Sequence, residues 1–151
     1  MWSVSLIGDK LLPCTLSRDR QLFLTLSTLG QLAVEYEKTG WEVVTPEEAL
    51  ASHSGNLFVF VDASVMCISI SRPWFSKRDV LVEEFVGQGI GLHRVNQIMR
   101  LATSIMGAKR FVVGTRAAVN QRHSGLAKLY EREGLTVSAV ELMGVVDGKE
   151  T

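Results

Sequence analysis

The sequence predicts a single α+β domain over residues 1–151, with a mixed and mostly antiparallel central sheet flanked by helices. The length of 151 residues and the hydrophobic content of 46% suit one compact core. Apolar residues recur with a period of two in some segments and with helical spacing in others, and glycines or capping residues separate these segments. We expect a helical N-terminal part, residues 1–56, followed by a core sheet over residues 57–146.

The N-terminal part is expected to begin with a strand or hairpin and to continue with a long helix. Residues 3–7 and 11–14 are short apolar segments of strand length. Either Ser17 or Asp19 can cap a helix over residues 19–38, in which leucines recur at helical spacing.

Capping residues and a change of period define the next elements. Thr45-Pro46-Glu47-Glu48 contains a capping box with proline at the first helical position, so a short helix should begin there. The apolar spacing then becomes two. It predicts strands over residues 57–61, 65–71 and 80–86, with a loop over residues 72–79.

The last third of the chain alternates between helix and strand. Periodicity predicts a helix over about 90–106, a short strand at 111–113, a helix over about 124–133 and a last long strand at 136–146. This alternation favours one domain with a mixed sheet.

Composition argues against several function classes. The 16 basic and 16 acidic residues balance, so a nucleic-acid partner is not expected. Cys14 and Cys67 are too few for a disulfide framework or a cysteine zinc site, and we expect both to be reduced core residues. His93 is expected to face solvent or to pack, and His123 is expected on a surface loop, with a proton relay as the alternative. No metal-ligand spacing is present. No targeting signal or membrane-spanning segment is apparent, so we expect a cytoplasmic protein without a membrane partner.

The charge is nevertheless unevenly distributed. From Gly87 to Tyr130 the chain has seven basic residues and no Asp or Glu. Such a stretch is expected to attract a small anion. The alternative is a chance cluster of charges on a solvated face.

A glycine-rich turn begins this basic stretch. Gly87, Gly89 and Gly91 follow a predicted strand directly and precede a predicted helix. Glycines let backbone amides approach a ligand, and a helix N-terminus adds unpaired donors. A dinucleotide fingerprint would need a further glycine where Leu92 or Arg94 stands, and the Gly-Lys-Ser/Thr of a P-loop is absent. The turn therefore predicts a phosphate cradle built from main-chain amides.

Two segments carry a resemblance to a known family. Gly87-Gln88-Gly89-Ile90-Gly91 resembles the Q/R-x-x-G-x-G/A motif of the GNAT N-acetyltransferases. Leu129-Tyr130-Glu131-Arg132-Glu133-Gly134-Leu135 resembles the family's L-Y-E-x-x-G-F segment, with Leu135 in place of Phe. The resemblance covers about residues 57–146 and implies a sheet that splays open beside the glycine turn.

The resemblance also implies a site for acetyl-CoA, with its diphosphate at the glycine turn and its pantetheine arm on the backbone of the preceding strand. The residues that it assigns to this cofactor are Phe85, Val86, Gly87, Gln88, Gly89, Ile90, Gly91, Leu92 and Asn120. The sequence departs from the family at two positions. Val86 stands where Arg or Gln is usual, and His123 stands where the family has Asn, with Asn120 nearby.

Three residues are candidates for catalysis. Tyr130 resembles the family's general acid, and a phenol with a pKa near 10 suits a thiolate leaving group; the alternative is a packed aromatic. Glu83 and Glu84 interrupt an apolar strand and are the candidate bases, with a slight preference for Glu84, the alternative being edge-strand charges. Strict alternation would place Glu83 on the face of Leu81 and Phe85.

The function that the resemblance implies is transfer of an acetyl group from acetyl-CoA to a small-molecule or protein amine by direct attack. The alternative is a catalytically degenerate GNAT-like fold that serves as a structural or interaction protein, such as a bacteriophage virion or internal head component. The loop Arg72-Pro73-Trp74-Phe75 would form either a wall of the acceptor pocket or a contact patch for a partner protein. Trp2 and Trp41 are expected to pack.

Overall fold

The computed structural model describes residues 2–115 and 123–146. Over these residues it contains six strands and four helices. In chain order they are β1 (Trp2–Ile7), β2 (Lys10–Pro13), α1 (Arg18–Lys38), α2 (Pro46–Ser52), β3 (Leu57–Val61), β4 (Ser64–Ser71), β5 (Val80–Val86), α3 (Leu92–Ile105), β6 (Arg110–Val112) and α4 (His123–Arg132). The predicted α+β class is confirmed, and the elements predicted before residue 134 are present with small shifts at their ends.

The described strands form one open sheet in the order β2-β1-β3-β4-β5-β6. The pairs β1–β2, β3–β4 and β4–β5 are antiparallel. The pairs β1–β3 and β5–β6 are parallel. The sheet is therefore mixed and mostly antiparallel, as predicted.

Helices cover both faces of the sheet, so every residue of β3 is buried. The core on the α3 and α4 side includes Val59, Met66, Ile68, Leu81, Ile98, Met99 and Tyr130. The core on the α1 and α2 side includes Leu24, Leu29, Phe58, Phe60, Val65, Cys67 and Phe85. Both cysteines are free; Cys67 is buried and Cys14 is half-buried.

Local capping explains where the N-terminal helices begin. The Ser17 hydroxyl accepts a hydrogen bond from the Arg20 amide at 3.1 Å, which identifies Ser17 as the cap of α1. At α2 the Thr45 hydroxyl accepts from the Glu48 amide at 3.1 Å, and the Glu48 carboxylate accepts from the Thr45 amide at 3.3 Å. The predicted capping box is therefore confirmed.

The predicted strand over residues 136–146 is wrong. The chain is irregular there and pairs with none of the described strands, and its side chains face solvent; Val140 is 78% exposed and Leu142 is 93% exposed. A strand-like apolar pattern produces a strand only where a sheet edge is available, and pairing is a tertiary property. The expected packing of Trp2 and Trp41 is also not observed, because both side chains are about half exposed. None of the described helices is long and apolar enough to cross a membrane.

Candidate functional site

The glycine turn between β5 and α3 begins with a tightly packed residue. The Gly87 amide donates to the Val65 carbonyl oxygen at 2.9 Å, and the Ile90 amide donates to the Gly87 carbonyl oxygen at 3.4 Å. A Cβ at Gly87 would overlap Ser64 Oγ and would lie 2.8 Å from the Val65 carbonyl oxygen. Glycine is required at position 87 by packing against β4, not by the approach of a ligand.

The next residues of the turn present backbone donors to open space. Gly89 has φ +88°, a left-handed conformation that favours glycine. Gly91 is the N-cap of α3 and forms no side-chain cap, and the first bond of the helix runs from the Val95 amide to the Gly91 carbonyl oxygen at 3.0 Å. Across residues 2–115 and 123–146, the amides of Gln88, Gly89, Gly91 and Leu92 have no acceptor. The turn thus offers several donors at one helix N-terminus.

The sheet opens beside this turn. β6 pairs only with Val80, Leu81 and Val82, the first three residues of β5. The rest of β5, residues 83–86, continues to the glycine turn beyond the last described pair with β6. Backbone groups on that side of residues 83–86 are therefore not used by β6, and the backbone expected to contact a pantetheine arm lies there.

β5 contains a bulge, so its side chains do not alternate strictly between the two faces of the sheet. Phe85 pairs with Cys67 but Glu83 pairs with Ile68, so Glu84 is an extra residue in β5. The bulge moves Phe85 into the core on the α1 side. The prediction that Glu83 and Phe85 share a face is wrong, because strict alternation holds only without an inserted residue.

The negative charge of Glu83 affects the pKa of Tyr130, whereas Glu84 forms a hydrogen bond with Ser69. Burial raises the pKa of Tyr130 to about 12, and the negative charge of Glu83 contributes to the rise. Tyr130 is 7% exposed. Glu84 is exposed and accepts a hydrogen bond from the Ser69 hydroxyl at 2.5 Å. The geometry therefore favours Glu83 over Glu84 as the partner of Tyr130.

The cations of the basic stretch that the structure describes do not form one anion site; Arg116 and Arg122 lie outside the described residues. Arg94 lies in the first turn of α3, beside the glycine turn, and is exposed. Arg100 donates to the Glu133 carbonyl oxygen at 3.2 Å and so connects α3 to the end of α4. Lys109 and Arg110 lie at the opposite end of the sheet, where β6 begins. Of these cations, only Arg94 adjoins the open amides.

The remaining site predictions fall outside the turn or outside the described residues. Asn120 lies among residues that the structure does not describe. His123 Nδ1 is 2.9 Å from Thr115 Oγ1, and His93 Nδ1 is 2.7 Å from Glu133 Oε1; both rings are exposed. In the described part of the chain, no group of three or more His, Cys, Asp or Glu residues could hold a metal ion.

Two shallow cavities lie away from the glycine turn. One, of about 180 Å³, is bordered by residues 76–80 together with Lys109 and Arg110. The other, of about 120 Å³, lies between the β1–β2 hairpin and the end of α3 and is lined by apolar side chains. Beside the glycine turn itself, a Cβ at Gly89 or Gly91 would meet no atom within 4 Å, so a ligand could approach the backbone there.

The described geometry fits a diphosphate group at the turn, because unspent amides, a helix N-terminus and a cation adjoin open space. No protein-family model, curated protein or solved structure matches this chain. The resemblance to GNAT proteins therefore stays a prediction from the two sequence segments. Alternation with Leu81 already places Glu83 on the face of the core that contains Tyr130, but the sequence carries no signal that α4 brings Tyr130 to that face.

Substitution of Gly87 by alanine should separate packing from ligand binding. We expect Gly87→Ala to lower the free energy of unfolding by about 1–3 kcal/mol, because a Cβ there would force β4 and β5 apart. The matched control is Gly55→Ala, where a Cβ would meet no atom within 4 Å. Urea denaturation of both variants measures the difference. Equal stabilities would contradict the packing role of Gly87.

The raised pKa of Tyr130 can be measured directly. The chain contains two tyrosines, so Tyr36→Phe leaves Tyr130 as the only tyrosine, and its ionisation is followed by ultraviolet absorbance. We expect a midpoint near 12 in the folded protein, and a lower one when Glu83→Gln is added. Because the folded pKa exceeds the unfolded value of about 10, this group's contribution to stability is complete below pH 10 and is lost as the pH rises toward 12. A folded-state midpoint near 10 would contradict the assignment.

Proposed function

We propose that this protein is an N-acetyltransferase that binds acetyl-CoA at the glycine turn and acetylates an amine. One observation carries the proposal. Among the described residues, the backbone amides of residues 88, 89, 91 and 92 have no hydrogen-bond acceptor, and they lie next to the half of β5 that does not pair with β6. A buried tyrosine and a half-buried carboxylate, whose charge affects the pKa of that tyrosine, adjoin this part of the sheet. This combination of donors, exposed strand backbone and titratable groups supports acyl transfer better than it supports a plain turn.

The binding residues follow from this arrangement. The amides of Gln88, Gly89, Gly91 and Leu92 would donate to the diphosphate oxygens, assisted by the positive end of the α3 dipole. Backbone groups of residues 85–86 would pair with the pantetheine arm. Val86 supplies no charge, so among the described residues the groups proposed to bind the diphosphate are main-chain amides and Arg94.

Acetyl-CoA supplies the acetyl group as a thioester. Glu83 is the proposed base that accepts a proton from the amine as the new C–N bond forms and the C–S bond breaks. Tyr130, kept protonated by its raised pKa, donates a hydrogen bond toward the leaving sulfur. When Glu83 becomes protonated its negative charge disappears, which removes one cause of the raised pKa of Tyr130. The phenol then becomes a stronger acid, at the moment when the thiolate needs a proton.

The second candidate function is a structural or interaction module without turnover. It is favoured by the exposed aromatic pair of the 72–79 loop, where Trp74 is 95% exposed and Phe75 is 74% exposed. Calorimetric titration with CoA distinguishes the two functions. A dissociation constant of about 1 μM to 100 μM supports the enzyme, and no binding at about 1 mM supports the module.

Substitution of Gly91 by aspartate should separate binding from stability. Position 91 is an N-cap with open space around it, so Gly91→Asp should raise the free energy of unfolding by a few tenths of a kcal/mol. The same carboxylate would repel a diphosphate and occupy its amides, so CoA affinity should fall by about tenfold or more. Gly91→Ser is the control, because it caps the helix without charge and should weaken binding much less. Unchanged CoA affinity in Gly91→Asp would exclude the turn as the phosphate site.

Single substitutions in β5 and α4 should identify the catalytic groups. We expect Glu83→Gln to lower turnover by about 10²–10⁴-fold, with little change in CoA affinity. Glu84→Gln, one residue away and exposed, should retain turnover within about threefold. Tyr130→Phe should lower turnover and leave CoA affinity unchanged. Thiol release with a panel of amines measures these rates, and a larger loss in Glu84→Gln than in Glu83→Gln would reverse the assignment.

A further inference from the structure

The loop over residues 72–79 presents two aromatic side chains to solvent. The Ser76 amide donates to the Pro73 carbonyl oxygen at 2.9 Å, and the resulting turn carries Trp74 and Phe75 at its corner. The two rings are 5.5 Å apart and inclined at 87°. Their only described ring contact is with each other, so most of their apolar surface is available to a partner.

Four cations adjoin this aromatic pair. We define the basic-aromatic surface as Trp74, Phe75, Lys77, Arg78, Lys109 and Arg110. Its four cations border the cavity of about 180 Å³. All six side chains are exposed. The nearby Asp79 carboxylate accepts a hydrogen bond from Arg72 at 3.2 Å. Among the described residues, none of the four cations of this surface forms an ion pair.

The segment that joins α1 to α2 has the opposite character. We define the acidic-apolar surface as Val34, Glu37, Trp41, Glu42, Val43, Val44 and Glu47. All seven side chains are exposed. The single cation of this segment, Lys38, is 3.5 Å from Glu35. Glu37, Glu42 and Glu47 form no ion pair with any described residue.

The two surfaces belong to separate places in the fold. The basic-aromatic surface lies where β4 ends and β5 begins, at the pair formed by Ser71 and Val80. The acidic-apolar surface joins two helices that are anchored near the other end of β5. α1 passes Gly87 at Thr28, and α2 begins beside Gly30. No ion pair in the described residues connects the two surfaces, so each is available to another molecule.

We infer that the basic-aromatic surface of one copy of this chain docks on the acidic-apolar surface of a second copy. Each surface combines exposed apolar side chains with charge of one sign, and the signs are opposite. Trp74 and Phe75 would contact the valines and Trp41, while the cations would face Glu37, Glu42 and Glu47. Because the contact joins two different surfaces, each copy in a pair still has one free surface. Further copies can add there, so the contact generates a ring or an open chain.

Other anionic partners fit less well. Bases of single-stranded nucleic acid stack nearly parallel on aromatic rings, whereas Trp74 and Phe75 are inclined at 87° and cannot both hold successive bases. The complementary charge is present on the chain itself, whose 16 basic and 16 acidic residues balance. A second copy therefore satisfies both surfaces with one contact.

The test uses two charge-reversed variants of the full chain. Lys77→Glu/Arg78→Glu reverses the basic-aromatic surface, and Glu37→Lys/Glu42→Lys reverses the acidic-apolar surface. All four positions are exposed, so both variants should fold as the unsubstituted chain does, which circular dichroism checks. The control is Lys10→Glu, a charge reversal at one exposed position of the β1–β2 hairpin, outside both surfaces. Sedimentation velocity and light scattering measure the mass.

We expect the unsubstituted chain and Lys10→Glu to exceed 16.7 kDa with rising concentration. Association should weaken by about tenfold or more between about 0.1 M and 1 M salt, as the screening length falls from about 10 Å to 3 Å. Each double variant alone should remain a monomer. An equimolar mixture of the two should associate again, because each surface of one variant meets a surface of opposite charge on the other. Trp74→Ser/Phe75→Ser should weaken association without changing charge.

A monomer at all concentrations, or a mixture that does not recombine, would overturn the inference. In that case the same chains are tested with vesicles of phosphatidylcholine alone or with phosphatidylserine, and with a fluorescent oligothymidine. Binding of the monomer to either, lost in Lys77→Glu/Arg78→Glu, would assign the basic-aromatic surface to that partner instead. CoA titration of the same variants is independent of these outcomes, so the proposed enzyme activity and the self-association can fail separately.

Discussion

The close packing of Gly87 on β4 is the constraint on which the rest of the candidate site depends. Its amide is held by the Val65 carbonyl oxygen at 2.9 Å, and no Cβ fits beside Ser64. The chain must therefore turn at the end of β5, and α3 begins only five residues later. The apolar face of α3 packs in the core, which fixes its N-terminus beside the sheet. Packing thus determines the position of the backbone amides that have no acceptor among the described residues. A ligand would bind to donors that are already in place.

The two faces of β5 determine the chemistry beside this turn. Glu83 lies on the face of Leu81, where the core contains Tyr130, and the bulge at Glu84 moves Phe85 to the other core. A carboxylate and a phenol that share a poorly hydrated region oppose each other's negative charge, so ionisation of one disfavours ionisation of the other. The arrangement therefore holds one proton at the tyrosine while the carboxylate is charged. Such coupling is useful where a proton must be taken from one atom and supplied to another.

Sequence patterns could predict the features that arise from neighbouring residues. The cap at Ser17, the capping box at Thr45 and the glycine turn are local, and each is confirmed in the described structure. The bulge could not be predicted, because it is a mismatch of register between β4 and β5. The apolar pattern of residues 136–146 is the same whether or not a sheet edge is available, so the sequence alone indicated a strand that the structure lacks.

Charged residues that are close in the sequence do not all lie on one surface of this protein. Arg94 and Lys109 belong to the same acid-free stretch, but Arg94 lies in the first turn of α3 and Lys109 follows the helix, whose remaining 11 residues span about 17 Å. This exceeds the screening length of about 10 Å in 0.1 M salt, so Lys109 and Arg110 contribute little to an anion held at the glycine turn. Among the described residues, the donors left for such an anion are the amides of the turn and Arg94. The cations at the far end of the sheet remain available for a partner, and the acidic segment between α1 and α2 supplies the complementary charge.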